Sequence, residues 1–125
     1  SDNVVLAVLE YSGVQTSSSV DQSTGLDNQT CSAGGLMTGA AMTPTDFNAL
    51  FVAAFMSSLS PDTVTAGGGF TLRENHPDGT VDSTDIQLYV LHQLNCDNPT
   101  AYTPTAQFGS PGAVEFCVAE ALFKD

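Results

Sequence analysis

The stretch from Thr43 to Leu59 constrains the fold of this chain more than any other, because it combines length, an apolar period and a start signal. Large apolar side chains recur in it at steps of three and four residues, which places them on one face of an α-helix. Thr43 or Thr45 can cap the first turn, and Asp46 suits the positive end of the helix dipole. The pattern predicts a buried central helix. Its core-facing residues are Phe47, Leu50, Phe51, Ala54, Phe55 and Leu59, and the other apolar residues of its interior are Val52, Ala53 and Met56.

Apolar patterning elsewhere predicts a small sheet and a second helix. Val4 to Tyr11 is an apolar run rich in β-branched residues, which we interpret as a central strand with a short helix as the alternative. Phe70 to Arg73 alternates as a strand does. Ile86 to Leu94 fits both periods, and we favour the strand. Apolar residues at helical steps predict a C-terminal helix on Val114, Cys117, Val118, Ala121 and Leu122.

Two polar segments are predicted as loops. Gln15 to Met42 is rich in Ser, Thr, Gly, Asp and Asn, and Asn95 to Gly112 holds three prolines. Turns are predicted at the glycine triplet Gly67 to Gly69 and at Pro77 to Gly79. We therefore expect a single α+β domain over residues 1–125, with one central buried helix packed on a small, mostly antiparallel sheet, a long polar loop and a C-terminal helix.

The charge balance excludes several classes of partner. The chain carries 14 Asp plus Glu against 2 basic residues, Arg73 and Lys124, for a formal net charge of −12. Such a surface repels the phosphates of nucleic acids and of anionic lipid headgroups. No apolar run approaches the roughly 18 residues that span a bilayer. The sequence predicts neither nucleic-acid binding nor membrane insertion, and its Ser-, Thr- and Asn-based polarity is typical of secreted, surface-displayed or virion proteins.

One segment has the spacing of a cation-binding loop. Between Glu74 and Asp85, Gly79 occupies the sixth of twelve places, where it permits a sharp turn, and the apolar Val81 occupies the eighth. Oxygen atoms at alternate places of such a loop converge on a hard cation such as Ca²⁺. The candidate metal ligands are Glu74, His76, Asp78, Thr80, Asp82 and Asp85.

The second part of this segment, Asp78 to Asp85, resembles a dockerin-type calcium loop. The resemblance implies bound calcium and a following helix over Ile86 to Leu94. Glu74 and His76 stand where the family has Asp and Asn, and no partner repeat is present, so the cohesin-binding role of the family is not implied. The alternative is a polar hairpin turn of the Pro-Asp-Gly kind.

The three cysteines permit at most one internal disulfide. Cys96 opens a proline-rich segment and Cys117 lies on the inward stripe of the predicted last helix, so we expect these two to pair. Cys31 is then left for a disulfide with a neighbouring subunit. The alternative is that all three are small buried apolar residues. Their spacing relative to the histidines does not fit a structural zinc site.

A nucleophile, a base and an orienting acid can be assembled from Cys31 or a serine, His92 and Asp97, but no catalytic motif singles these residues out. The sequence thus favours a non-enzymatic structural or interaction module of an extracellular, surface or virion assembly, whose partners are other protein subunits or copies of itself. One alternative is a calcium-dependent adhesion or ligand-binding domain. The other is a small hydrolase whose site cannot be identified from the sequence.

Overall fold

The computed structural model describes residues 6–31, 35–57, 64–76, 87–108 and 115–125, which form two antiparallel β-sheets. No helix occurs in these ranges, and so none that could cross a bilayer. The strands of the described ranges are β1 (Val20–Thr30), β2 (Leu36–Thr38), β3 (Ala49–Ser57), β4 (Val64–Gly67), β5 (Thr71–His76), β6 (Gln87–Cys96), β7 (Thr105–Phe108) and β8 (Glu115–Phe123).

The larger sheet has the order β1-β8-β3-β6-β5, and the smaller sheet has the order β2-β7-β4. Except for the β5–β6 pair, consecutive strands alternate between the two sheets. This is the order of a jelly roll, in which two Greek keys build a pair of facing sheets. The one departure is at β5, which pairs with β6 at the edge of the larger sheet instead of completing the smaller one.

The two sheets pack face to face over a shared core. Phe51 and Phe55 on β3 point into it and are fully buried. Phe51 meets Phe70 edge to face, with ring centroids 5.0 Å apart. Tyr89 of the larger sheet meets Phe108 of the smaller sheet, with centroids 6.0 Å apart. The core also contains Cys31, Met37, Met42, Ala49, Ala53, Leu91, Cys96, Ala106, Phe116, Val118 and Leu122.

The prediction of a central helix is wrong, because its apolar part is β3, the middle strand of the larger sheet. All residues from Ala49 to Met56 are apolar, so the run fits the helical period and the two-residue alternation equally well. A strand with a neighbour on each side and cover on both faces has this near-continuous apolar character. With the helix absent from the described residues, the α+β fold class is wrong as well, and the fold is mostly β.

The predicted C-terminal helix is also wrong, because the segment forms β8. Its inward residues alternate, with Phe116 and Val118 in the core and the charged Glu120 at the next inward position. Its outward residues include the apolar Cys117 and Ala121. A charge on the inner side and apolar residues on the outer side conceal the two-residue period, so the helical steps stand out in the sequence.

Other predictions are confirmed. The favoured strand over Ile86 to Leu94 corresponds to β6, and the alternation that begins at Phe70 corresponds to β5. The glycine triplet forms the turn between β4 and β5, where Gly68 and Gly69 have φ values of 68° and 87° that favour glycine. The predicted turn at Pro77 to Gly79 lies outside the described residues.

The two predicted loops contain strands. Gln15 to Met42 includes β1 and β2, and Asn95 to Gly112 includes β7. β1 is an edge strand with a single neighbour, so only Leu26 among its side chains packs against the core, and its remaining polar residues suit an edge. Of the strand predicted from Val4 to Tyr11, residues 6–11 are described, and they form no strand.

Candidate interaction surface

The larger sheet carries apolar side chains on its outward side as well as its inward side. Ala54 on β3 lies between Ala119 on β8 and Val90 on β6, and all three face away from the core. The rows above and below repeat this pattern. We call this surface the outer apolar face, and its residues are Leu50, Val52, Ala54, Met56, Leu88, Val90, His92, Leu94, Cys117, Ala119, Ala121 and Phe123.

The middle of the outer apolar face is open and shallow. Met56 is 39% exposed, while Val52 and Ala54 are half-buried. Two depressions of about 290 and about 210 Å³ lie over it. The first is lined by Ser23, Thr24, Val52, Ala119, Glu120, Ala121 and Phe123, and the second by Asp27, Asn28, Met56, Ser57, Glu115, Phe116 and Cys117.

The smaller sheet differs, because its outward side is mostly polar. Thr38, Thr65 and Gln107 are exposed there. Leu36 is an exception at 36% exposure. This alternation of apolar inward and polar outward residues is typical of an antiparallel sheet with one face in water. The outer apolar face of the larger sheet is therefore a distinct feature rather than a property of both sheets.

Charged residues border the outer apolar face at its two ends. Asp27 and Glu115 are exposed at the end where β8 begins. Lys124 follows β8 at the opposite end, with its Nζ atom 4.0 Å from Oδ1 of Asp21. Burial raises the pKa of Asp21, but hydrogen bonds from the hydroxyl and backbone N–H of Thr45, together with Lys124, outweigh it and leave the pKa below its usual value. The outer apolar face is therefore bordered by acidic residues at one end and by the ion-paired Lys124 at the other.

Residues 6–14, which we call the N-terminal strap, cross the outer apolar face. The Tyr11 hydroxyl lies 3.0 Å from Nδ1 of His92, and the two rings have centroids 5.5 Å apart. Residues 12–14 continue past Leu50 and Leu94, where they line a pocket of about 200 Å³. Behind the strap, the backbone N–H of Gln15 donates to the carbonyl of Lys124 at 3.0 Å. The strap thus contacts the sheet through Tyr11 and residues 12–14, and Gln15, which follows it, is bonded to Lys124.

Glu120 is the charged side chain of the described core. It is 3% exposed, and its Oε2 atom accepts a hydrogen bond of 3.0 Å from the backbone N–H of Ala40, which follows β2. Its Oε1 atom has no hydrogen-bond partner among the described residues. Burial raises the pKa of this carboxyl, and the Ala40 N–H offsets part of the rise. Glu120 therefore links the larger sheet to the segment that follows the first strand of the smaller sheet.

The structure describes only part of the predicted metal loop. Glu74 is a half-buried residue of β5, and His76 is the last residue of that strand. No group of three His, Cys, Asp or Glu side chains in the described ranges is placed to hold a metal ion. The other four candidate ligands, Asp78, Thr80, Asp82 and Asp85, lie outside the described residues.

The expected disulfide does not form, and none of the three cysteines belongs to a disulfide. Cys96 is fully buried on the inner side of the larger sheet, opposite Ala49, whereas Cys117 lies on the outer side, opposite Met56. Seven residues of β3 separate these two positions, about 24 Å along the strand, and a disulfide requires Cα atoms within about 7 Å. Burial raises the pKa of the Cys96 thiol to about 11 and also raises that of Cys117, so neither is an activated thiolate.

The structure does not assemble the hypothetical catalytic trio. Cys31 lies in the core between the sheets, while His92 lies on the opposite side of the larger sheet and contacts Tyr11. Asp97 accepts a hydrogen bond of 2.8 Å from the backbone N–H of Asn48, which fixes the start of β3. On the outer apolar face the partner of His92 is a tyrosine rather than an acid.

No family model, curated protein or solved structure matches this chain. The outer apolar face was not predicted from the sequence, but one signal pointed to it. Val52 and Met56 are apolar although they lie outside the presumed core stripe, and in a strand such residues form a second apolar side.

Proposed function

We propose that this protein is a non-enzymatic structural subunit that assembles with copies of itself through the outer apolar face, in an extracellular, surface or virion setting. The observation that carries the proposal is the difference between the two sheets. Along β3 and β8 the residues of this face from Val52 to Met56 and from Cys117 to Ala121 are exposed or half-buried, and a contiguous apolar surface of this kind is rare on a soluble monomer and marks an interaction site. The jelly-roll fold supports the proposal by analogy, because capsid shells and lectins are built from it, although a fold by itself does not fix a function.

A second copy of this chain fits the outer apolar face. Its centre consists of small side chains, Ala54, Ala119 and Ala121, so another sheet can approach to the usual spacing of about 10 Å. A two-fold axis through this centre makes the interface self-complementary. If this axis lies in the interface plane and perpendicular to the strands, it also places the acidic end with Asp27 and Glu115 of one copy opposite the Lys124 end of the other.

The net charge of −12 opposes self-association at long range, but the outer apolar face is nearly free of charge. The repulsion between copies therefore acts mainly through solvent, where salt screens it over about 8 to 10 Å. We expect association to strengthen as the salt concentration rises. An interface held by exposed ion pairs would show the opposite dependence.

The test replaces Ala54 by Asp. The two introduced carboxylates face each other across the two-fold axis, so association weakens by a factor of at least about 100. Thr65→Asp is the matched control, because it adds the same charge on the exposed polar side of the smaller sheet. Native mass spectrometry and light scattering over a wide concentration range report the mass, and circular dichroism checks that both variants fold.

The proposal requires an oligomer for the wild type and for Thr65→Asp, and a monomer for Ala54→Asp. A wild-type protein that stays monomeric at high concentration and high salt overturns it. So does an oligomer that tolerates Ala54→Asp. Adding a chelator is expected to change nothing, and a loss of mass equal to calcium would instead support the ligand-binding alternative.

A further inference from the structure

The outer apolar face has two unequal sides, one on β6 and one on β8, with β3 between them. Outward side chains cross it in rows, and in each row a residue of β6 and a residue of β8 pair with the same residue of β3. Three of these rows are His92–Val52–Ala121, Val90–Ala54–Ala119 and Leu88–Met56–Cys117. In every one of them the side chain on β6 is larger than the side chain on β8, so the face is asymmetric about β3.

The β6 side stands higher than the middle of the face. Val90 and Leu88 point outward but are only 4% and 8% exposed, so other parts of the same chain enclose them. In the next row the ring of Tyr11 lies on His92, with centroids 5.5 Å apart. We call this raised part of the surface the ridge, and its residues are Leu88, Val90, His92 and Tyr11.

The β8 side is lower and open. Ala119 is exposed, and Cys117 and Ala121 are half-buried. Both depressions of the outer apolar face lie on this side, since the one of about 290 Å³ borders Ala119 and Ala121 and the one of about 210 Å³ borders Cys117. We call this part the hollow, and its residues are Cys117, Ala119 and Ala121. The ridge and the hollow lie in the same rows, on opposite sides of β3.

We propose that two copies pack with the ridge of each in the hollow of the other, related by a two-fold axis that runs along β3. This axis exchanges β6 with β8 and keeps the rows in register, so Tyr11 of one copy faces the depression beside the partner's Ala121. Large side chains then meet small ones, as in closely packed layers. The inference rests on the proposed function, because it takes a second copy as the partner and adds which strands meet.

A two-fold axis perpendicular to the strands makes a poorer contact. It lays β6 on β6 and β8 on β8, so the two ridges collide while the two hollows leave a gap between the sheets. Its advantage is that the Lys124 end approaches the acidic end of the other copy. Lys124 is already paired with Asp21 within its own chain, however, and exposed ion pairs contribute little.

The charges beside the ridge and the hollow agree with the axis along β3. Burial raises the pKa of Tyr11 and lowers that of His92, and the positive charge of Arg73 acts to lower both, so Arg73 lies beside the ridge. Asp27 lines the smaller depression beside the hollow. The axis along β3 brings the β5 edge of one copy, with Arg73, over the β1 edge of the other, with Asp27. Because β5 also carries Glu74, the shape of the face rather than its charge sets the orientation.

Cross-linking at the two ends of the Val52 row tests this orientation. Thr71 pairs with His92 at the β5 edge, Ser23 pairs with Ala121 at the β1 edge, and both end residues are exposed. Within one chain they are four strand spacings apart, about 19 Å, whereas in the proposed pair they face each other across a sheet spacing of about 10 Å. A thiol cross-linker with a reach of about 12 Å therefore joins them only between copies.

We expect a mixture of Ser23→Cys and Thr71→Cys to give a cross-linked dimer, and neither variant alone to do so. Both carry Cys117→Ala, which removes the native thiol of the outer apolar face. The control is a mixture of Ser23→Cys and Asp27→Cys in the same background. These two positions meet under an axis perpendicular to the strands, because that axis exchanges the row of Val52 with the row of Cys117.

Ala119→Leu provides a second readout that differs in sign between the two axes. It fills the hollow, so with the axis along β3 association weakens by at least about tenfold, whereas with the perpendicular axis it tightens because two hollows face each other. Native mass spectrometry over a range of concentrations measures the association, and circular dichroism checks that the variant folds.

Several outcomes overturn the inference: a cross-link in the control mixture, no cross-link in either mixture, or association of Ala119→Leu that is unchanged or tighter. If the oligomer is nevertheless lost in Ala54→Asp and kept in Thr65→Asp, the proposed function stands and only the orientation is wrong. A wild-type protein that stays monomeric removes both.

Discussion

The two sheets of this jelly roll share one core, but they differ in their outward sides. The smaller sheet presents Thr38, Thr65 and Gln107 to solvent, whereas the larger sheet presents Val52, Met56 and their neighbours. Apolar residues on the solvent-exposed face of a sheet add no stability to the fold, because folding does not remove them from water. The apolar outer side of the larger sheet is thus the feature on which the proposed self-association rests.

The same contrast exists within β3, where neighbouring residues face different surroundings. We expect Phe51→Ala or Phe55→Ala to lower the free energy of unfolding by about 3–5 kcal/mol, the usual cost of emptying a buried aromatic site. We expect Met56→Ala, on the outer side of the same strand, to cost less than about 1 kcal/mol in the monomer. Urea unfolding at protein concentrations that keep the chain monomeric measures all three values.

This pair of results decides whether the outer apolar face is open in a single chain. Equal losses for Phe55→Ala and Met56→Ala would show that both sides of β3 are buried within one molecule, and the case for a docking surface would fail. A loss below about 1 kcal/mol for both phenylalanines would show that β3 is not central to the core.

The strand β3 shows why sequence reasoning found the central element but not its type. The sequence predicts a buried central element over Thr43 to Leu59, and the apolar part of this stretch is β3, the middle strand of the larger sheet. Its apolar continuity cannot distinguish a helix buried all round from a strand buried on both sides. Only the pairing of β3 with β6 and β8 resolves this ambiguity. The spacing of apolar residues within one segment does not show which distant segments pair with it.

The strand β1 was not predicted, and the reason is the opposite one: its segment has too few apolar residues rather than too many. Its eleven residues contain few large apolar side chains, because an edge strand has one neighbour and a largely solvated outer side. Its partner is β8, at the other end of the chain, so nothing near β1 in the sequence signals it. In contrast, the sequence predicts β6 from the alternation of Ile86, Leu88 and Val90.

Little of the candidate site could be predicted. His92 is a titratable residue in an apolar run, but its contact with Tyr11 joins residues that are 81 positions apart and so leaves no local signal in the sequence. The sequence does not single out Glu120, because one carboxylate in a short segment with helical steps has the pattern of the polar side of a helix. Its burial depends on the approach of the segment after β2.

The next largest loss of stability is expected on replacing Gly39, which lies where the segment after β2 meets Glu120 of the larger sheet. A Cβ atom at this position would collide with Oε1 of Glu120 and lie 2.8 Å from Cγ of Pro104. We expect Gly39→Ala to lower the free energy of unfolding by about 1–3 kcal/mol, the cost of overpacking a closed site. Combining it with Glu120→Ala provides the control, because a shared clash makes the double variant lose less than the sum of the single losses. Additive losses would place the strain elsewhere.

The smallest expected effect concerns the charge of Glu120 and requires a comparison across pH. Glu120→Gln keeps the shape and an acceptor oxygen for the Ala40 N–H, but it cannot ionise. Because burial raises the pKa of Glu120 above its ordinary 4.5, the fold binds this proton more tightly than the unfolded chain does. The stability that this proton provides is complete below pH 4.5 and is lost as the pH rises through the raised pKa.

The free energy of unfolding of Glu120→Gln minus that of the wild type should therefore increase with pH and then level off, while the other carboxylates cancel in the difference. Urea unfolding of both proteins from acid to neutral pH measures it. A difference that stays constant, or falls with pH, would show that Glu120 is ionised at little cost and that the link between the sheets is an ordinary solvated contact.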